Sequence, residues 1–465
     1  MSLQLVLSSA LSGLRTSQQR AAVTSHNLAN LTTPGFVRKE LDVSTAITGG
    51  VGNGVRVDGI GRRVDELLIR DARFERSRHI SQETRASSLA DYASILGQPQ
   101  DQRSVSNAVA QLQQAFETLH DTPSNDAAQA AVIDKAEALV QRIHDAAAVA
   151  TTIRNNARDR LVVSVEAVNG ALSRISDLNG MIAVSQAKGS DAGDLMDERD
   201  RLLDQVSQEI GIRTYTREGG QVVVMTRNGQ TLLDRELEPG EKPLQLIGTD
   251  LVVNGTKISD NPDQDVQSGR IMGLLQTADQ DMPRALAQLD ELAAGLIQRF
   301  QEAEADPTAP GLFTDAGAAY SVTEGLASRI AVNDAVQGNA WRVQSGIQAA
   351  APLAPGDQTQ IKRFSAAFTV YGTFAAPDLP TNATLGDFAT GLVSTQQGYR
   401  TTAEAEMKTR KISADALESA RINRDGVNYD DEMQKLLLIE QSYGASAQVI
   451  QAAARMLDTL LQLRN

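Results

Sequence analysis

The sequence predicts a mainly α protein. Its N- and C-terminal helices pair in coiled-coil fashion, a body of long bundled helices follows, and small antiparallel β units are inserted. Three observations lead there. First, Leu3, Leu7, Ala10, Leu14, Ser17, Ala21, Thr24, Leu28 and Leu31 alternate spacings of four and three, the seam of a helix that packs against another helix. Second, a matching line runs at the other end through Met433, Leu436, Glu440, Tyr443, Ala447, Ile450, Ala454, Leu457 and Leu461, with Glu440 its polar exception. Third, aromatic residues are only 4% of the chain, with one tryptophan, so the core must be built from Ala, Leu, Ile and Val, which suits helical layers.

The first helix must stop near Asn30. Pro34 has no N–H and drives Thr33 out of the α region, and Pro34-Gly35 suits the central positions of a type II turn. The last helix starts at Asn428, a good N-cap. Asp430, Asp431 and Glu432 put carboxylates on its positive end, with Asp431 at the capping-box position. Such helices are marginal alone and must pair with each other or with a neighbouring molecule.

Between the ends the periods change in order. Val37 to Thr48 reads as short strand. Gly49 to Val55 is glycine-rich, but Val55, Val57 and the residues to Ile60 alternate as a strand, so a hairpin replaces any dinucleotide reading, which needs a helix at once after its last glycine. Helices follow over about Val64–Leu96 and Ser104–Leu119. Ser124 is the expected N-cap of a further helical stretch from Asp126 to about Ala187, where Gly170 and Gly180 count against one unbroken rod. Another helix opens at Asp194. From Ile210 the pattern becomes β, with turns at Asn228-Gly229 and Asn254-Gly255. Gly269–Glu304 returns to helix, interrupted near Pro283. Residues 306–383 are irregular, with β-like pieces at Arg329–Val332 and Phe368–Tyr371 and with Trp341 as a local core anchor. A last long helix runs from Leu385 to about Asn423. The expected organisation is a terminal coiled-coil domain (1–38 with 426–465), a helical body (39–207 with 268–305 and 384–425), a β-hairpin unit (208–267) and the irregular region (306–383).

Composition narrows the function. Net charge is −14 and no long basic run occurs, which argues against nucleic acid. No stretch approaches a membrane span, and the N-terminus has no charged n-region or continuous apolar h-region of a signal peptide. His26, His79, His120 and His144 are scattered along helices without metal-spaced partners, and no cysteine, nucleophile elbow or phosphate loop appears. The acidic run Asp194–Asp204 reads as a mixed charged helix face, since Asp197 and Arg201 are four apart. No enzyme, metal or cofactor is expected. Terminal helices that need partners describe an assembling protein.

Two terminal motifs carry a resemblance. Ala10-Leu11-Ser12-Gly13-Leu14-Arg15, Ser25-His26-Asn27-Leu28-Ala29-Asn30 and Thr33-Pro34-Gly35-Phe36-Val37-Arg38 stand at one end. Gly426-Val427-Asn428-Tyr429-Asp430-Asp431-Glu432-Met433, Gln441-Ser442-Tyr443 and Met456-Leu457-Asp458-Thr459-Leu460-Leu461 stand at the other. Together they resemble bacterial flagellar axial proteins, and the Pro-Gly-aromatic version is similar to the hook-associated protein 1 (FlgK) family. His26 departs from the family pattern, which carries a polar residue such as Asn there. The resemblance implies a structural subunit of the hook–filament junction. Its family-motif residues would be Asn27, Asn30, Pro34, Gly35, Gly426 and Asn428, and its partners the hook protein, the second junction protein, copies of itself and a cytoplasmic export chaperone on the C-terminal helix. It also implies export without a cleaved signal peptide to the extracellular flagellum, with terminal segments that order on assembly. A flagellar hook or rod protein, or a secreted helical adhesin or effector, is the alternative.

Overall fold

The computed structural model describes residues 3–33, 35–48 and 50–462, without the side chains of Thr48, Val51, Leu460 and Leu461. Pro34 therefore lies outside the described residues, as does the side chain of Leu461. In chain order the elements are α1 (Leu3–Ala29), β1 (Lys39–Thr48), β2 (Val51–Arg62), α2 (Glu66–Leu96), α3 (Val105–Asp121), α4 (Asp126–Ala187) and α5 (Gly193–Glu209). Then come β3 (Ile212–Thr216), β4 (Val222–Thr226), β5 (Thr231–Leu233), β6 (Leu244–Ile247), β7 (Asp250–Val253), β8 (Thr256–Lys257), α6 (Pro262–Asp265), α7 (Arg270–Gln276) and α8 (Met282–Glu302). After them lie β9 (Phe313–Asp315), β10 (Ile330–Val332), α9 (Arg342–Ser345), α10 (Thr359–Thr369), β11 (Gly372–Thr373), β12 (Asn382–Ala383), α11 (Leu385–Asp425) and α12 (Tyr429–Gln462). The fold is mainly α with small antiparallel sheets: β1–β2, β3–β4–β5, β6–β7–β8, β9–β10 and β11–β12.

The chain forms two compact units, and they cut it differently from the organisation expected above. One contains residues 1–79, 165–269 and 410–465; the other contains 80–164 and 270–409. The body expected over 39–207 is thus divided. The reason is that α4 is unbroken over its 62 residues, so both units draw on it. Gly170 and Gly180 do not interrupt it; a helix held by packing on its apolar face tolerates an isolated glycine.

The second unit has the denser core. Val109, Leu112 and Phe116 of α3, Val132, Leu139 and Ile143 of α4, and Leu289, Leu292, Leu296 and Phe300 of α8 are fully buried. The rings of Phe300, Phe364 and Phe368 lie 5.7–5.9 Å from that of Phe116, and Phe313 stands edge-on to Phe300 at 5.1 Å. Phe368 closes α10 and is not in a strand, because Ile361, Phe364 and Phe368 share one helical face. Ile330–Val332, within the piece expected over Arg329–Val332, is a strand, β10. Trp341 is only half-buried and lies against the Arg342 guanidinium at 4.8 Å. The cap of α4 is Asn125, which accepts the Ala128 N–H at 3.1 Å, and not Ser124. The helix read across Gly269–Glu304 passes through a π-helical segment, Thr277–Asp281, before Pro283 opens α8.

In the first unit the β strands are fastened to helices by asparagines. Asn179 of α4 donates to the Val222 carbonyl at 2.9 Å and accepts the Val222 N–H at 3.0 Å. Asn169 does the same to Leu244, at 2.7 and 3.1 Å. A primary amide reproduces the donor and acceptor of a missing strand, so the strand edge buried against the helix keeps its hydrogen bonds. The Asn254-Gly255 turn holds both residues at positive φ, 46° and 84°, as a tight β7–β8 hairpin requires.

Candidate assembly interface

The third such amide is Asn27, at the root of the terminal helices. It is buried in α1, donates to the Lys39 carbonyl at 2.9 Å and accepts the Lys39 N–H at 3.0 Å, pinning the first residue of β1. Its N–H also reaches the Glu432 carboxylate at 3.1 Å. Glu432, 1% exposed, is neutralised by Lys435 at 2.6 Å. One side chain thus joins α1, β1 and α12. Asn30 closes the helix end: its amide donates to the His26 carbonyl at 3.0 Å and its carbonyl oxygen accepts the Thr33 hydroxyl at 3.2 Å. The Phe36 N–H then bonds the Thr33 carbonyl at 3.2 Å across a turn in which Gly35 has φ +76°. A side chain there would also strike Arg201 Cγ at 2.8 Å. At the other end, Gly426 leaves no room for a Cβ, which would lie 2.4 Å from the Ile422 carbonyl oxygen. Asn428 caps α12, accepting the N–H groups of Asp430 and Asp431 at 2.9 and 3.3 Å. The Arg38 N–H bonds the Asp425 carbonyl at 2.9 Å, and the Asp65 N–H bonds the Asp425 carboxylate at 3.2 Å, so the two terminal motifs meet.

The acidic run on α5 supports this root. Asp194 bonds the Lys39 ammonium, whose hydrogen bond holds that carboxyl below the usual range. Asp197 is buried, not part of a solvated face, and Arg201 pairs with Glu198 instead. Arg62 Nε lies 2.8 Å and Lys39 Nζ 4.0 Å from the Asp197 carboxylate, and neither makes a well-directed hydrogen bond to it. Burial therefore outweighs the two cations and pushes its pKa up to about 6. Asp200 pairs with Arg62 at 2.5 Å, and Asp204 with Arg73 and Arg421 at 2.7 and 3.4 Å. Of the histidines, His26 stands edge-on to Phe36 at 5.5 Å and His144 bonds the Ile330 carbonyl at 2.8 Å.

The terminal helices pair antiparallel within one chain. A Cβ on Gly13 would meet Ser446 Oγ at 3.1 Å, Ser17 Oγ is 3.4 Å from Ser442 Oγ, and Asn27 meets Glu432. On α1, Ala10, Ser17 and Thr24 are buried and Leu3, Leu7, Leu14, Ala21 and Leu28 half-buried along the expected line. Leu31 is 39% exposed, beyond the helix end. Thr16, Val23 and Asn27 are buried on an adjoining face. There the β1–β2 hairpin approaches so closely that a Cβ on Gly54 would come 2.1 Å from Ser12 Oγ.

On α12 the expected line is displaced. The residues with least exposure on the packed side are Glu432, Leu436, Ile439, Ser446, Ile450 and Ala453, spaced four, three, seven, four and three. Leu436 and Ile450 are common to both lines, and Met433 and Ala447 are half-buried beside it. Tyr443, Ala454 and Leu457 are exposed, as is Glu440. The antiparallel register puts Leu457 level with the very start of α1, where little helix remains to cover it.

A second line is left over. Leu438, Ala445, Val449, Ala452 and Met456 are spaced seven, four, three and four. Leu438 is 65% and Met456 57% exposed, and Ala452 alone is half-buried. At 100° per residue this stripe is turned about a third of the way round the helix from the line that faces α1. It has the spacing of a helix-packing seam and no helix upon it within the described chain.

Comparison with known proteins agrees with these motifs. The family described as the flagellar hook-associated protein FlgK helical domain matches residues 89–308. The flagella basal body rod protein family matches residues 7–36, and the flagellar basal body rod FlgEFG protein C-terminal family matches residues 418–463, so α1 and α12 carry both. Flagellar hook-associated protein 1 of Salmonella typhimurium is 24% identical over 63% of this chain and 55% of its own length; that of Escherichia coli is 24% identical over 63% and 56%. The matched part thus spans little more than half of those relatives. Flagellar hook-associated protein 1 of Bacillus subtilis is 22% identical over 98% of this chain and 97% of its own length. A structure titled as the flagellar hook junction protein FlgK from Burkholderia pseudomallei aligns over 53% of this chain and 46% of its own, with TM-score 0.46 and 21% identity. With the hook-associated helical domain flanked by matched axial motifs at both ends, the chain belongs to the flagellar hook-associated protein 1 family.

Proposed function

We propose that the chain is a structural subunit of the bacterial flagellum at the hook–filament junction. It docks on the distal hook and receives the next junction protein through α1 and α12. The observation that carries this reading is the second seam of α12: two lines of packing side chains stand on one helix, and α1 covers one of them. A neighbouring helix laid on Leu438, Val449 and Met456 buries apolar surface worth about 25 cal/mol per Å². The partners are the hook protein, the second junction protein and further copies of the chain, outside the cell. Before export, a chaperone that masks the same stripe would keep the C-terminal helix from self-association. The hook or rod reading has the terminal matches in its favour, but the helical domain over 89–308 speaks for the junction protein.

The test is a deletion strain complemented with Val449→Asp or Met456→Asp. Both side chains are exposed, so the variants should be folded and exported. They should appear in the medium while hooks stay bare and flagellin is shed. Normal filaments in both strains would refute the docking role of α12.

A further inference from the structure

A group of arginines in the first unit has no internal explanation. Phe74 of α2 is overlaid by the Arg227 guanidinium at 3.9 Å, and Arg78 lies 5.5 Å from the same ring. Arg213 of β3 and Arg70 of α2 stand close enough to act on Arg227 as like charges. Arg70 pairs with its neighbour Asp71 and Arg78 with Glu75, both on α2. Arg213 and Arg227 have no carboxylate within 4 Å among the described residues, and Arg227 Nε is buried without a hydrogen-bond partner. Burial, then the three neighbouring arginines, push the Arg227 guanidinium below its ordinary pKa.

This runs against the habit of the molecule. The chain carries 58 acidic against 44 basic residues, so a carboxylate is the cheapest neighbour to find. Where arginines serve internal cohesion they receive one: Arg73 and Arg421 share Asp204, and Arg85 is paired to Asp281. Two guanidinium groups on one aromatic ring, with two more arginines near enough to act on Arg227 and only Asp71 opposing them, form a surface poised for an anionic planar partner. We propose that the face made by Arg70, Arg78, Arg213 and Arg227 around Phe74 is a lateral contact that receives an acidic surface of a second copy of this chain. Charge complementarity chooses the occupant. With net charge −14, a second copy carries carboxylates in excess, and a face of clustered arginines attracts them. The inference goes beyond the docking of α1 and α12, because none of these arginines lies on either helix.

The test is sedimentation velocity of the full chain at ~20 mM and ~500 mM salt, where screening lengths differ severalfold. The wild type should associate at low salt and dissociate at high salt. Arg70→Glu with Arg213→Glu, both at exposed positions, should weaken association about tenfold or more while leaving the circular dichroism melt in place. Arg160→Glu with Arg174→Glu changes net charge equally at exposed sites elsewhere and should associate as the wild type does. A wild type that stays monomeric at low salt would overturn the proposal. So would a patch variant that associates normally, or a control pair as weak as the patch pair. Binding of poly-glutamate without self-association would overturn the second copy as occupant.

Discussion

The core of the second unit and the terminal helix pair are both built from helices, yet they are finished differently. Around Phe116 and Phe300 every large side chain is enclosed, and the irregular segment 306–383 wraps the helices to complete it. Two buried carboxylates, one on α8 and one just beyond its end, anchor that wrapping. Asp290 accepts the N–H groups of Gly325 and Ala327 at 2.8 and 2.7 Å, and Glu304 accepts that of Ile347 at 3.0 Å. Between α1 and α12, small and polar residues fill the contact, its best-buried members include Asn27 and Glu432, and apolar side chains remain outside. A core closed by its own chain maximises stability. A seam that is specific but thinly apolar holds register and leaves surface for another molecule.

The largest effect on stability should come from the enclosed core. Phe300→Ala removes a fully buried ring that touches Phe116, Phe313, Phe364 and Phe368, and should cost about 3–5 kcal/mol in a denaturant melt. A loss below about 1 kcal/mol would mean that the ring cluster is loosely packed and the contrast is false.

Next comes Asn27→Leu. It strands the Lys39 N–H and carbonyl and takes a donor from buried Glu432, so about 2–3 kcal/mol should be lost, as for a buried polar group left unpaired. Asn179→Leu removes the same clamp from Val222 without touching a charge, and should lose less. Equal losses would show that Glu432 draws nothing from Asn27.

Asp197 gives a pH signature. Its pKa is raised to about 6 from an ordinary 3.8. A carboxyl raised on folding contributes stability that is complete below the unfolded value and lost as pH rises through the folded one. Asp197→Asn carries no such loss. The variant should therefore gain on the wild type between pH 4 and pH 7, by about 1 kcal/mol once solvent screening is allowed for. Lys39 and Arg62 keep Asp194 and Asp200 in the variant. A wild type that gains on the variant over that range would show that the cations, not burial, dominate at Asp197.

How much of this could be read beforehand follows from how local the cause is. The helix stop near Asn30, the Gly35 turn, the Asn428 cap and the Asn-Gly hairpins rest on backbone chemistry of adjacent residues, and all were legible. So was the β1–β2 hairpin in place of a nucleotide loop. The α12 line was misread because Ser446, Ala447, Ala453 and Ala454 are nearly equal in size and polarity; only the positions of Gly13 and Ser17 opposite decide which face inward. The Lys39–Asp194–Asp197 contact spans about a third of the chain and has no local signal. Asn27 was noted as a motif residue, but its grip on Lys39 and Glu432 depends on the folded juxtaposition. The second seam is present as spacing, Leu438 through Met456, but spacing alone does not say which of two lines on one helix its own chain covers.

The smallest stability effect should accompany the largest assembly effect, and this divides the two regions most sharply. By its spacing alone Leu457 sits in the seam, where an aspartate would bury an unpaired charge at several kcal/mol. In the structure Leu457 is 40% exposed and Leu438 65%. Leu457→Asp and Leu438→Asp should then shift stability by no more than about 0.5 kcal/mol, as surface substitutions do. Ile450→Asp, half-buried against α1, should cost more than either. In a complemented deletion strain all three should be exported and fail to join the hook, for different reasons: Ile450→Asp because the pair opens, Leu438→Asp because the intact pair has lost the stripe a neighbour covers, and Leu457→Asp because the uncovered end of the α1-facing line has lost its apolar side chain. Melting curves of the purified chains, read beside filament counts, separate these. If Leu438→Asp destabilises the free chain as much as Ile450→Asp, that stripe already has a partner within the chain. The difference drawn between the enclosed core and the half-covered helices would then fall.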